Sequence, residues 1–186
     1  MTTRADIEDR VKRYFHRTDF TAADFDYAFA VATEAIGETL RSSANESTYP
    51  IAAASPSTPF TMPTEVREVE RVEYQQPGAG WRILSSPNDW EVIGGKMRFR
   101  WTITGTIQMI AYIAPAAILP AVPTSTNAVM TAYPDVYMWR VAAECAAITQ
   151  DSDMVNACLQ FFGGIVGEIN NRTRAGRIAA PAMIGA

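Results

Sequence analysis

The residues that could do chemistry in this chain are few and far apart. The sole histidine is His16, at the end of the first predicted helix. One histidine excludes an HExxH zinc site, and no Gly-x-Ser-x-Gly elbow accompanies it for a Ser-His-Asp triad. We interpret His16 as a helix-end residue satisfied by solvent or backbone carbonyls. Cys145 and Cys158 form no C-x-x-C pair and fall on apolar helical faces, which favours small buried side chains over ligands or nucleophiles.

Two short motifs resemble functional sites but lack residues that the chemistry needs. Gly94-Gly95-Lys96 resembles a phosphate loop, yet the upstream glycine and the following Ser or Thr are absent, and Lys96 begins a predicted strand. The glutamates of TEVREVERVEY alternate with Arg67 and Arg71, which is typical of a solvated face and not of a metal site. We therefore predict no catalytic residue, no metal and no cofactor.

Two groups of basic residues could bind a partner. Lys96, Arg98 and Arg100 share one face of a predicted strand. That face is either a solvated edge or a contact for an acidic protein surface or nucleic-acid phosphates. The second group leads into an apolar chain end, whose large side chains favour burial against something. It consists of Arg172, Arg174 and Arg177, followed by Ile178, Met183 and Ile184.

Composition limits the class of protein. The chain has 186 residues and is 48% apolar, which suits one globular domain with a real core. A net charge of -4 argues against a dedicated nucleic-acid binder. The start MTTRADIEDR has no apolar segment of a secretory signal, and with two cysteines this predicts reduced thiols.

Two long stretches carry no charge, 47–64 and 101–134. The second contains MIAYIAPAAILPAVP, but Pro115, Pro120 and Pro123 interrupt it too often for a spanning helix of about 20 apolar residues. We predict a buried strand followed by a Pro-rich loop, and no membrane segment. An apolar irregular loop of this kind is often covered by another chain.

Helical periodicity appears at both ends of the sequence. Thr3 with Asp6, and Thr21 with Asp24, predict capping boxes at the starts of two helices, the second running to about residue 41. Pro134 suits the first position of a third helix, and the stretch QDSD separates it from a long last helix. One face of the third helix is predicted to carry Tyr137, Val141, Cys145 and Ile148. The apolar stripe of the last helix is predicted to comprise Met154, Cys158, Phe161, Phe162, Ile165 and Ile169. The tail after residue 177 lacks periodicity and is predicted to be extended.

The middle of the chain is predicted to form strands. KMRFRWTIT alternates, with Met97, Phe99, Trp101 and Ile103 on one face, and the two glycines before it predict a tight hairpin. Residues 107–113 predict another strand, TEVREVERVEY an edge-like strand, and 42–62 a long loop. The predicted fold is mainly α with a β insertion, an antiparallel bundle of about four helices. In this single domain of 1–186, helices occupy 1–45 and 125–177, the β insertion 60–115, and an extended tail 178–186.

The order of these segments resembles the head-to-tail adaptor, or head-completion, proteins of tailed phages, and most closely the longer adaptors of short-tailed phages. The resemblance rests on RTDFTAADFDYAFAVATEAIGETLR, FTMPTEVREVERVEY, TITG, IQMIAYIAP, a TN before a short helix, YPDVYMW, QDSD and EINNRTRAGR. It covers most of the chain, and no single motif is unique. The long Pro/Ala-rich stretch 42–62 departs from the family pattern.

The resemblance implies a ring, typically of about twelve copies, at the capsid vertex. Such a ring docks under the portal protein ring, its helical bundles pack side by side, and its β insertions face the tail or nozzle protein. Double-stranded DNA passes through its channel without sequence-specific contact. The protein would belong to the virion head–tail junction and assemble in the host cytoplasm.

The same resemblance, with the uncharged loops, predicts the site residues. Portal binding is assigned to the second basic group and the apolar residues after it, which are Arg172, Arg174, Arg177, Ile178, Met183 and Ile184. Tyr137 is predicted to face the bundle core, with Trp139 sealing the contact to the next copy. Arg98 and Arg100 are expected to meet a protein neighbour. The predicted subunit or tail interface comprises Trp139, Arg98, Arg100, Tyr112, Pro115 and Pro120.

Two other functions remain open at this point. One is a tail-tube or stopper component that does not contact the portal, which portal binding would discriminate. The other is a small-molecule enzyme or carrier that uses the β insertion as a pocket, which a ligand-induced thermal shift would reveal. The scarcity of catalytic motifs argues against the second.

Overall fold

A computed structural model of the chain describes residues 1–52, 54–75, 78 and 80–179, with the backbone alone at 178 and 179. These residues form five α-helices and seven strands, divided into two compact units. The helical unit comprises Met1–Asn45 and Ala114–Ala179, and the β unit comprises Glu46–Ile113. The predicted mixture of helices and strands is confirmed.

The helices of the helical unit begin where the sequence offers caps. Thr3 and Asp6 exchange hydrogen bonds as a capping box, with Thr3 N donating to the Asp6 carboxylate at 2.9 Å, and Thr21 and Asp24 repeat the arrangement at 2.8 Å. Both predicted helix starts are therefore confirmed. The helices are α1 Arg4–Phe15, α2 Ala22–Thr39, α3 Ala128–Ala132, α4 Pro134–Ile148 and α5 Ser152–Ala179, with a 3₁₀ turn at Ser43–Asn45.

Helix α4 lies at the centre of the helical unit, because it packs against α1, α2 and α5. Its residues Tyr137, Val141 and Cys145 are fully buried, as the periodicity predicts, whereas Ile148 is 39% exposed. The three buried residues of α4 share one apolar core with Phe25 of α2 and with residues of α1 and α5. Burying such side chains stabilises the unit by about 1.5–3 kcal/mol each relative to exposure.

The β unit contains two antiparallel sheets around its own core. One sheet has the order β1-β7-β3-β4 and the other β2-β6-β5. Met97, Phe99, Ile107 and Met109 lie in this core. The strands are β1 Glu46–Ile51, β2 Phe60–Thr61, β3 Val66–Gln75, β4 Trp81–Leu84, β5 Trp90–Ile93, β6 Lys96–Phe99 and β7 Thr106–Ile113.

Three predictions about the β region are wrong. The stretch 42–62 is not one loop, since it holds a 3₁₀ turn, β1 and β2, and the β unit begins at Glu46 and not at 60. β1 pairs with β7, about sixty residues later, so no local pattern indicates it. β3 is not an edge strand, because β7 and β4 flank it.

The predicted hairpin is confirmed, and its second strand is shorter than expected. Ile93 pairs with Lys96 across Gly94 and Gly95, which take left-handed φ values of 57° and 72°. β6 ends at Phe99, and Trp101 is 40% exposed although the alternation places it on the buried face.

The C-terminal predictions need one correction. Helix α5 continues through Ala179, so 178 and 179 are helical and not extended. Residues 180–186, which include Met183 and Ile184, lie outside the described residues, as does the side chain of Ile178.

Candidate interaction surfaces

Three aromatic side chains form a partly exposed stack on the helical unit, which we call the aromatic surface: Tyr14, Trp139 and Phe161. The Trp139 and Phe161 rings stack with centroids 4.5 Å apart, and Tyr14 meets Trp139 edge-on at 5.0 Å. Phe161 is 51% exposed, while Trp139 is half-buried against the core. Trp139 is thus packed between the Tyr14 and Phe161 rings, with Phe161 half exposed to water, a geometry that suits a docking anchor.

The sequence of α5 explains why this surface is exposed. Phe161 and Phe162 are adjacent on a helix, so their side chains point about 100° apart. Phe162 enters the core and Phe161 stays outside. Residues 154–167 carry no charge, and a Cβ built at Gly163 or Gly167 would meet nothing within 4 Å. Periodicity predicts Phe161 in the core stripe, so its exposure was missed; the FF pair was the available signal.

A buried hydrogen-bond network connects two motifs of the sequence, the TN at 126–127 and YPDVYMW. Asn127 donates to the Tyr137 hydroxyl at 2.7 Å and to Ala116 O at 2.7 Å, and it caps α3 by accepting from Met130 N at 2.8 Å. Thr33 Oγ1 donates to Phe29 O, so the Tyr137 hydroxyl donates to Thr33 Oγ1 at 3.3 Å.

Burial of Tyr137 has an electrostatic consequence. Desolvation raises the pKa of its hydroxyl above the ordinary tyrosine value, which keeps it protonated and available as a donor. The predicted core position of Tyr137 is confirmed. Asn127 therefore acts as the joint between the Pro-rich segment before it and the helical core.

The basic strand face is partly neutralised. Arg100 bonds Glu91 at 2.8 Å, and Arg98 faces the same Glu91 across the β5–β6 ladder. Lys96 and Arg98 are exposed. The face therefore presents two cations beside one ion pair.

The basic residues at the end of α5 lie in its last three turns. Arg172 pairs with Glu168, and its side chain is 76% exposed. Arg174 is exposed, and Arg177 is half-exposed. All three arginines therefore place positive charge near the C-terminal end of α5.

The other predicted interface residues differ in exposure. Tyr112 is 3% exposed in β7, so it offers no surface to a partner. Pro115 is half-buried. A Cβ added at Gly37 of α2 would lie 3.1 Å from Pro115 Cδ, so the glycine permits this close packing. Pro120 is exposed at the tip of its loop.

The family model for the SU10 adaptor protein matches residues 2–184. The chain belongs to the SU10 adaptor protein family. It is therefore a phage structural adaptor, as the ordered motifs predicted, and the Asn127 and Tyr137 motifs that carried the resemblance meet in one network. A search of curated proteins finds no match.

The single histidine and the two cysteines of this SU10-family chain differ in their exposure. His16 ends α1 with a left-handed φ of 51° and is exposed. Cys145 and Cys158 are fully buried, and burial raises their thiol pKa to about 12 and about 11, so both stay protonated near neutral pH. Across residues 1–52, 54–75, 78 and 80–179, no group of three potential metal ligands occurs and no helix is long and apolar enough to span a membrane.

Proposed function

We propose that the chain is a structural virion protein whose ring joins the capsid portal to the tail, closes the packaged head and lets DNA pass through its channel. The observation that carries the proposal is the SU10 adaptor family match over almost the whole chain. We further propose a ring of about twelve copies, in which the helical units are bundles packed side by side. The order of motifs likens the chain to the longer adaptors of short-tailed phages.

The aromatic surface supports self-assembly. A closed ring needs a heterologous interface, in which two different faces of each copy meet. Phe161, half exposed on a charge-free side of α5, would lose water on such a contact. Trp139, which stacks on Phe161 and packs against the core, would act as the anchor residue of this contact.

The net charge of the chain supports a channel that binds DNA only weakly. A net charge of -4 allows few phosphate contacts, so a duplex would slide and not be held. Arg100 is already paired with Glu91, and we propose that it and Arg98 meet an acidic patch on a neighbouring or tail protein.

The chain end is proposed to bind the portal. Arg172, Arg174 and Arg177 bring positive charge to the end of α5, and the apolar residues beyond, Ile178, Met183 and Ile184, would be buried on the portal.

Removing residues 178–186 is expected to abolish binding to the portal ring and leave the fold intact, because the deletion takes only the last two residues of α5 and the uncharged residues beyond it. Co-sedimentation of the full and shortened chains with portal rings measures this, with circular dichroism as the check on folding. The Arg174→Ala variant of the full chain, which removes one charge only, is expected to bind more weakly without losing binding. Equal sedimentation of the full and shortened chains would contradict the tail assignment. Absence of binding by the full chain would favour a tail-tube or stopper role instead.

Trp139→Ala is expected to weaken ring assembly by about 2 kcal/mol per contact, roughly thirtyfold in concentration, since interface anchors of this type carry such energies. The helical signal of the free chain should remain, because Trp139 lies at the rim of the core. The matched control is Trp81→Ala, which removes an exposed indole from the β unit. A concentration series by analytical ultracentrifugation gives the midpoint, and an unchanged midpoint for Trp139→Ala would exclude the anchor role.

A further inference from the structure

The Pro-rich segment carries an exposed apolar tip, which we call the docking loop, Leu119–Pro123. Leu119 is 57% and Val122 37% exposed, and Pro120, Ala121 and Pro123 are exposed as well. Five consecutive apolar residues exposed to water make this loop a candidate contact for a partner.

The docking loop is hydrogen-bonded to helices α1 and α2. Arg4, 2% exposed, donates to Leu119 O at 3.1 Å and pairs with Asp26 at 2.6 Å. The same Asp26 carboxylate accepts from Ala121 N at 3.2 Å, and Ala5 N donates to Pro123 O at 3.0 Å. The buried Arg4, which also pairs with Glu8 at 2.6 Å, therefore ties the docking loop to α1 and α2.

Backbone strain points to the same site. Ala121 has a φ of 53°, in the left-handed region, which costs an alanine about 1–2 kcal/mol. Such strain persists where surrounding contacts impose it, and it concentrates at functional sites. A fixed apolar loop loses little conformational entropy on binding, so more of its burial appears as affinity.

The helical unit also contains an apolar groove of about 570 Å³. The 3₁₀ turn, helix α3 and the chain start form its walls. Exposed small residues of α3 line one side, so the groove can admit a narrow chain segment. Its lining includes Met1, Ala44, Ala128, Thr131, Ala132 and Tyr133, with no charged side chain.

We propose that the docking loop of one copy inserts into this groove of the next copy. The inference rests on the proposed self-assembly and names its second contact. The loop and the α3 wall lie in the same charge-free stretch, 101–134, and both are exposed in the single chain. Each copy therefore carries an apolar projection and a groove without charged side chains, and a contact between the two is heterologous, as a head-to-tail ring requires. Because neither the loop nor the groove carries a charged side chain, a second copy fits better than a charged surface of another protein.

Cysteine cross-linking between two single variants tests the contact. Val122→Cys and Thr131→Cys place thiols on the loop and in the groove, at exposed positions, while the native Cys145 and Cys158 are fully buried. In rings assembled from a mixture of the two variants, mild oxidation is expected to give covalent dimers, since a disulfide needs Cα atoms within about 7 Å. Rings of either variant alone should give none. The matched control is Val122→Cys mixed with Thr18→Cys, whose residue is exposed but outside the groove.

The outcomes separate this inference from the proposed function. Rings that form without a 122–131 cross-link, or dimers from Val122→Cys alone, overturn the loop-in-groove contact and leave the ring standing. Failure of the full chain to assemble overturns both. Val122→Asp adds a second readout, because a charge on an exposed loop should leave the thermal midpoint unchanged and raise the assembly midpoint at least tenfold. An unchanged assembly midpoint also overturns the contact.

Discussion

Replacing Asn127 with alanine is expected to lower the free energy of unfolding of the helical unit by about 3 kcal/mol. The substitution removes the side-chain cap that accepts from Met130 N at the start of α3. It also removes the two hydrogen bonds that the side-chain amide donates to Ala116 O and to the Tyr137 hydroxyl. A lost cap costs about 1 kcal/mol, and each buried polar group left without a partner adds about 1–3 kcal/mol. Urea unfolding followed by circular dichroism measures the change.

Three further variants separate the parts of this effect. Asn127→Asp keeps an acceptor for Met130 N and loses both donors, so it should fall between wild type and alanine. Tyr137→Phe removes the hydroxyl alone and should cost less than Asn127→Ala. Thr124→Ala, in the same segment but exposed, is the control and should stay within about 0.5 kcal/mol of wild type. An Asn127→Ala protein as stable as the control would mean that the network does not fix the segment.

Gly105→Ala is expected to cost the β unit about 3 kcal/mol. Gly105 has a φ of 143°, and an added Cβ would lie 2.3 Å from Gln75 O, which is backbone at the end of β3 and cannot move aside alone. Since the chain has two compact units, the loss should appear as faster hydrogen exchange in β3 and β7, with the amides of α4 unchanged.

The matched control for this glycine is Gly80→Ala. A Cβ at Gly80 meets nothing within 4 Å, so the exchange pattern should stay that of wild type. Faster exchange in both variants, or in neither, would contradict the assignment of Gly105 as the close-packed position.

Local signals predicted the parts of the fold that depend on neighbours in sequence. The capping boxes at Thr3 and Thr21 and the hairpin at Gly94-Gly95 need only residues a few positions apart. β1 was missed because its partner β7 is distant along the chain, and β3 was misplaced at an edge because strand order is a property of the whole sheet. That the two units act as one adaptor domain stays a prediction.

The candidate surfaces were predictable only in part. Helical periodicity placed Tyr137 in the core, and the charge-free stretch indicated a covered Pro-rich loop. Periodicity could not show that Trp139 would stack on Phe161, because that contact joins α4 to α5. Nor could it show that Arg4 bonds to a loop more than a hundred residues away, because a sequence does not distinguish a buried arginine from an exposed one.

The most direct test of the ring adaptor is the mass of the portal ring mixed with the full chain, measured by mass photometry with each component alone. The expected result is one species heavier than the portal ring by a whole-number multiple of 20.4 kDa, with about twelve copies added. A portal ring that gains no mass at micromolar concentrations of the chain would contradict the proposed role at the portal and leave the tail-component role to be tested next.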